Sequence, residues 1–352
     1  METGTGRRVG SRVGSPADIA VTGSRVALGA LTAGFLLAGA AHVTVPIRVQ
    51  LLVYLVGMVA LNLPHGGYEH LANLRRRVDR FRLRYVAGYL LLLAGYLWLF
   101  TVAPVVGLLI AVAVACAKGG GGDLYALRAT GGADHLQTRA QRLLAVAARG
   151  GPVMAVPIVA FPATFRTFSG IIVGLFEPGA LATAGVPLET TRLLIGGGYA
   201  AVLLAHLGLG FHRRQGTGSW LVDAGETLLL VAYFATVPVV VAVGLYFPLW
   251  YSLRQVAREL AVDPAGTDGW DLLAAETTAG TALRAWGLLV GGALSVGGVA
   301  ATLWLLAPNP LGTAPLLYGA VAFWSVLISI IALPHVLIGS VLDRGRGIWH
   351  VP

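Results

Sequence analysis

The sequence predicts an all-α fold, a polytopic transmembrane helical bundle of 8–10 spans, on three observations. Of 352 residues, 56% are hydrophobic and only 12% charged, with mean hydropathy +0.76; a soluble domain carries about 25% charged residues. Apolar runs approaching the roughly 20 residues that cross a bilayer recur along the chain. The cations sit in short loops between those runs, the positive-inside pattern, and of the 25 Lys and Arg only Lys118 is a lysine. This composition excludes a soluble enzyme and a disordered chain, and a lone cysteine, Cys116, excludes a disulfide scaffold. The 48 glycines suit helix backbones that approach closely in lipid.

Taken in order, residues 1–22 read as a disordered basic tail with Arg7, Arg8 and Arg12, and residues 23–352 as one transmembrane domain. The tail has no A-x-A-like cleavage site, so no cleavable signal peptide is expected. Clear spans are 26–44, 47–63, 85–103, a short one at 105–117, 193–209, 228–247, 285–307 and 316–342. Between 143 and 184 lie two weaker runs, broken by Arg149, Pro152, Pro157, Pro162, Arg166 and Pro178; each either spans or forms part of a re-entrant pair buried in protein. The segment 75–84, with six arginines, is the strongest cytoplasmic signal. Arg344 and Arg346 put the C-terminus on the same side. Both termini inside require an even span count, which leaves Arg213 and Arg214 outside. The stretch 257–281 is a polar linker with Asp263, Asp268 and Asp271. The net charge of +9, spread over short loops, points to anionic lipid headgroups and a multi-pass cell-membrane protein rather than to nucleic acid.

Ionisable groups at membrane depth are costly and mark function by default. In "PHGGYEH", Pro64 ends a helix, and Glu69 lies four residues from His65, where it can orient a metal-ligating imidazole; the alternative is a polar helix end with His70 solvated. His335 sits in the apolar run 329–342, either as a site residue or satisfied by a backbone carbonyl. "LPH" occurs at both 63–65 and 333–335, each at the end of an apolar run and before a basic loop, either an old repeat or a coincidence of a Leu-rich chain. Lys118 opens "KGGGGDLY", which has no preceding strand and no GK[ST], so it reads as a flexible turn rather than a phosphate loop. His206 and His212 are six apart, not the i, i+4 spacing of a helical metal pair, and His206 is the better candidate because it lies inside a span. Asp223 and Glu226, at i, i+3, read as helix caps and dipole partners. Tyr251 and Gln255 share a helix face at i, i+4, within an aromatic interface belt carrying a snorkelling Arg254. His65, His206 and His335 at span ends suggest a metal or proton site, and nothing in their spacing names a substrate.

The ordered motifs "LPHGGYEHL", "GGDLYAL", "RGGPVMAVPIVAFPATFR", "ETLLLVAYFATVPVVVAVGLYF" and "ALPHVLIGSVLDRGRG" cover about residues 61–349. On these the chain resembles the Brp/Blh family of integral-membrane β-carotene 15,15′-dioxygenases, its haloarchaeal bacteriorhodopsin-related branch in particular. The resemblance implies cleavage of the central double bond of β-carotene by Fe(2+) and O2 to two retinals, which supply rhodopsins. It also implies an iron held by four histidines. Carried over by position, the first is His65, while the others fall on Lys118, Tyr251 and Gln255. Asp123 keeps its motif's aspartate, Glu69 stands for a usual aspartate, and His206, Glu226 and His335 match recurring positions. Imidazole is a good neutral ligand for Fe(2+), whereas a lysine ammonium repels it until deprotonated and a glutamine carbonyl binds it weakly. Three functions follow. One is an oxygenase with a divergent site in which Glu69, Asp123 and Tyr251 act beside the metal. The second is a silent relative that binds carotenoid or retinal, or assists a rhodopsin or an active homologue. The third, a proton-moving transporter, is opposed by the five ordered motifs.

Overall fold

The computed structural model describes residues 16–62, 80–184, 188–214, 216–262, 278–312 and 314–344. Among them the regular structure is entirely helical. Five helices are long and apolar enough to cross a membrane: Pro16–Ala40, Pro104–Ala129, Glu189–His212, Val239–Arg258 and Leu316–Ile338. Shorter apolar helices are Ile47–Leu61, Ala87–Val102 and Val290–Leu306. Large apolar side chains stand on the outer faces, among them Leu91, Leu193, Leu294 and Leu305, each more than 70% exposed. A surface so apolar suits lipid rather than water.

Helix α1 (Pro16–Ala40) begins with proline in its first turn and Asp18 against the N-terminal dipole. It therefore starts inside the stretch 1–22, which was expected to be tail. α2 (Ile47–Leu55) widens into a π-helical segment, Val56–Leu61. α3 (Arg80–Val102) stops before Pro104, the first residue of α4 (Pro104–Ala129). α4 corrects one expectation: it runs straight through Lys118 and the four glycines, which form no turn. Their missing side chains let α5 (Arg139–Gly150) press onto them. A Cβ on Gly120 would lie 1.9 Å from the Val146 carbonyl oxygen, and one on Gly150 would lie 2.0 Å from that of Cys116. α5 is opened by a reciprocal cap, in which the Gln141 N–H donates to Thr138 Oγ1 and the Thr138 N–H to Gln141 Oε1.

The weak region resolves into short helices, α6 (Ala155–Ala160), α7 (Pro162–Gly174) and α8 (Ala180–Thr183), each below spanning length. α9 (Leu188–His212) precedes α10 (Thr217–Thr236). The expected span 228–247 is two helices. Pro238 cannot donate its N–H and pushes Val237 to an extended ψ of 129°, so α10 ends and α11 (Val239–Tyr246) begins anew. α11 is the innermost helix, with Val239, Val240, Val241, Ala242, Gly244 and Tyr246 all buried. It passes through a second π-helical segment, Phe247–Ser252, at Pro248 and continues as α12 (Leu253–Val262). α13 (Thr278–Leu306) and α14 (Leu316–Arg344) close the chain. The second "LPH" lies inside α14 rather than at its end. Pro334 leaves that helix one donor short, and the Tyr89 hydroxyl donates to the nearby Ile331 carbonyl at 2.9 Å.

Candidate functional site

Two polar centres flank α4. The first is a buried ion network that joins α1, α4, α5, α10 and the α11–α12 helix. Arg149, at the end of α5, has no exposed surface. Its Nε donates to Asp123 Oδ2 at 2.7 Å, one terminal nitrogen to Asp223 Oδ1 at 2.6 Å and the other to Glu226 Oε2 at 2.6 Å. Arg254 grips Glu226 with both terminal nitrogens, at 2.9 and 2.5 Å, and stacks 4.3 Å over the Trp250 ring. Its Nε lies 2.5 Å from Asp123 Oδ1 as an ion pair, while the Trp250 indole N–H donates to the same oxygen at 3.1 Å. Arg25 reaches Glu226 from α1 at 2.6 Å. His135 and His206 both meet Asp223 Oδ2, at 3.0 and 3.1 Å. Three guanidinium groups thus face three carboxylates, and a buried charge set persists only when paired in this way.

This geometry corrects two expectations. Asp223 and Glu226 do not cap a helix. α10 starts six residues earlier, at Thr217, so both acids fall in its buried interior. Arg254 does not snorkel, because Glu226 and Asp123 hold it fully inside. Asp123, Glu226 and His206 were singled out from sequence and do meet here. Arg149, Arg254 and His135 were not expected as site residues. The "T-x-x-Q" cap that aims α5 was the available signal for Arg149.

The second centre lies one turn N-terminal along α4. Lys118 and Gly122, at i, i+4, face Tyr251 and Gln255, also at i, i+4. Lys118 Nζ stands 5.1 Å from the centroid of the Tyr251 ring. Gln255 Nε2 donates to the Gly122 carbonyl at 2.9 Å, and its Oε1 accepts from Arg258 at 3.2 Å. Gly122 is required at this crossing, since a Cβ there would lie 2.5 Å from Tyr251 Cε2. The π-helical turn before α12 aims Tyr251 here, and the Ser252 hydroxyl donates to Asn62 Oδ1 at 3.3 Å. His65, Glu69 and His70 lie outside the described residues, and Asn62 is the last described residue before them. His335 is half-buried on α14. His212 is exposed at the end of α9. Among the described residues no group of three or more His, Cys, Asp or Glu is placed to hold a metal ion.

Against Lys118 opens an apolar cavity walled by α2, α4, α7, α11 and α14. Leu108, Val114, Phe165, Phe168, Val240 and Phe247 line it, and its polar lining includes Asn62, Lys118 and Ser325. Asp123, Arg149 and Glu226 are not part of its wall.

A family model described as beta-carotene 15,15′-dioxygenase matches residues 56–343. The chain belongs to this family. It is 53% identical over 341 residues to "Probable beta-carotene 15,15′-dioxygenase Brp" from two strains of Halobacterium salinarum, covering 95% of each chain. It is 36% identical over 298 residues to "Probable beta-carotene 15,15′-dioxygenase Blh" of the same organism, covering 82% of this chain and 83% of the relative. No solved structure matches the chain.

Proposed function

We propose that this protein takes β-carotene from the bilayer into the apolar cavity and serves its cleavage at the central 15,15′ double bond to two retinals. The cavity carries this reading. Its lining is almost wholly apolar, as the walls of small-molecule sites are, and Lys118 on its wall is one of the three positions where the family resemblance puts metal ligands, with the Tyr251 ring centroid 5.1 Å from its Nζ. In this role Asp123, Glu226 and His206 position the helices, and Tyr251 stands beside Lys118. Glu69 and His65 would complete it from the segment after Asn62. The cell membrane, with cytoplasmic termini set by the basic segment 75–84, is the proposed location, and a rhodopsin is the proposed receiver of retinal.

The donor set favours a second reading, in which the protein binds carotenoid or retinal without cleaving it, or assists an active homologue. Ferrous iron suits neutral imidazoles. At the three described positions the chain offers an ammonium, a phenol and an amide whose two ends are already engaged by Gly122 and Arg258. These residues do not fit the iron that the family implies.

Expression of the full chain in membranes that accumulate β-carotene separates the readings. Carotenoid co-purifying with the protein supports both, and retinal in the extract supports cleavage. Carotenoid without retinal supports binding alone, and retinal should then appear when Lys118→His, Tyr251→His and Gln255→His are combined. Neither polyene bound nor cleaved would refute the proposal.

A further inference from the structure

We infer that Lys118 captures a long polyene aldehyde as an imine, making the cavity a covalent holding site for a carotenoid cleavage product. The inference rests on the reading that this cavity receives a carotenoid or the aldehyde derived from it.

Three observations converge on Lys118. It is the one lysine among 25 basic Lys and Arg residues. Every other fixed cation in the chain is an arginine, whose guanidinium does not form imines, whereas a lysine amine does. That single amine stands on the wall of an apolar cavity rather than in a loop. It also occupies the place where a metal ligand would be required, next to partners that do not complete a metal site. Tyr251 supplies the fitting neighbour: its ring lies 5.1 Å from Nζ, where the aromatic face stabilises a cationic imine nitrogen as it does an ammonium. Phe165, Phe168 and Phe247 offer apolar wall to a conjugated chain extending from that nitrogen.

The chemistry needs no oxidant or metal. Oxidative scission of a carbon–carbon double bond leaves a carbonyl on each new end, so the product is a conjugated aldehyde. The lone pair of the neutral Lys118 amine adds to the aldehyde carbon, forming the C–N bond as the C=O π bond opens. One N–H proton moves to that oxygen. The nitrogen lone pair then expels the oxygen, which leaves as water with the second N–H proton, and C=N remains. A proton from solvent makes the imine cationic. Hydrolysis by the reverse path releases the aldehyde.

The test uses the full chain in lipid nanodiscs, incubated with all-trans-retinal and then treated with borohydride, which reduces an imine to a stable amine. The expected result is a retinyl adduct on the Lys118 peptide by mass spectrometry, preceded by a red-shifted absorbance band. The adduct and the band should fall to background in both Lys118→Arg, which keeps the charge, and Lys118→Met, with folding of each checked by thermal melting. An adduct that persists in both variants lies on an amine other than that of Lys118 and overturns the inference. Binding of β-carotene to the unsubstituted protein is measured in parallel by tryptophan quenching. Polyene binding without an adduct overturns the imine and leaves the proposed function standing. Binding of neither polyene overturns both.

Discussion

Replacing Arg149 by methionine tests the buried network most directly. The change removes three charge-assisted hydrogen bonds of 2.6–2.7 Å, one each to Asp123, Asp223 and Glu226. Glu226 keeps Arg254 and Arg25, and Asp123 keeps Arg254 and Trp250. Asp223 keeps His135, His206 and the Thr227 hydroxyl, but no guanidinium. A buried carboxylate stripped of its cation costs about 3–5 kcal/mol, so Arg149→Met should lose at least that, a fall in melting temperature on the order of 10 °C. Arg149→Lys retains the charge but has no planar fork, so it can satisfy one carboxylate well and leaves two poorly bonded. Its loss should be intermediate, about 1–3 kcal/mol. Adding Asp223→Asn to the methionine variant removes the stranded charge and should recover part of the loss, a coupling read from the double-mutant cycle. Tryptophan-fluorescence melting of the detergent-solubilised full chain reads all five proteins, the Asp223→Asn single variant included. A methionine variant as stable as the parent, or an Asp223→Asn change that deepens its loss, would refute the account of Arg149 as the common partner.

Further outcomes follow from close approaches and shared partners. Gly120→Ala must push α4 off the Val146 carbonyl that a Cβ would meet at 1.9 Å, so it should cost at least the about 1–3 kcal/mol of overpacking. Gly121→Ala, with nothing within 4 Å, should instead be neutral or stabilise by about 0.5–1 kcal/mol. Equal melting temperatures for the two would contradict the crossing. Gly122→Ala should break the Gln255 hydrogen bond and shift the Tyr251 ring, reducing polyene binding in a quenching titration more than it lowers stability. His135→Ala and His206→Ala should each destabilise by about 1–3 kcal/mol through the oxygen they share on Asp223, and the pair should cost less than the sum. Strict additivity in thermal melts would show that the two histidines do not act through Asp223. The combined Lys118→His, Tyr251→His, Gln255→His variant should retain ferrous iron through purification where the parent does not, as elemental analysis of both would establish.

The sequence carried the helical bundle plainly, because long apolar runs and arginine-rich loops are written in composition and spacing. It carried less of the breaks. The run 228–247 is apolar on both sides of Val237-Pro238, so hydropathy alone passes over the proline that divides α10 from α11. The four glycines after Lys118 read as a turn by local propensity, and only the tertiary contact with α5 makes them helix. The site divides in the same way. Lys118, Tyr251 and Gln255 share a site because two i, i+4 faces cross at Gly122, and the order of motifs anticipated that they belong together. Asp223 and Glu226 gave a misleading signal, since acids three apart near a span resemble caps until the true helix start at Thr217 is known. Arg149 and Arg254 looked like loop or interface cations because sequence does not disclose which arginines have three carboxylates waiting inside.

The two polar centres are held in different ways. The ion network contributes no residue to the cavity wall, and its members satisfy one another across five elements. Losing Arg149 strands the buried Asp223 carboxylate, so that position is constrained by folding whatever the cavity does. Lys118, Tyr251 and Gln255 meet through a ring contact and two hydrogen bonds, one to a backbone carbonyl and one to Arg258, and Tyr251 also packs edge-on against the Phe247 ring. It follows that replacing Lys118 should change what the cavity binds far more than it changes the melting temperature, the opposite of the balance expected at Arg149.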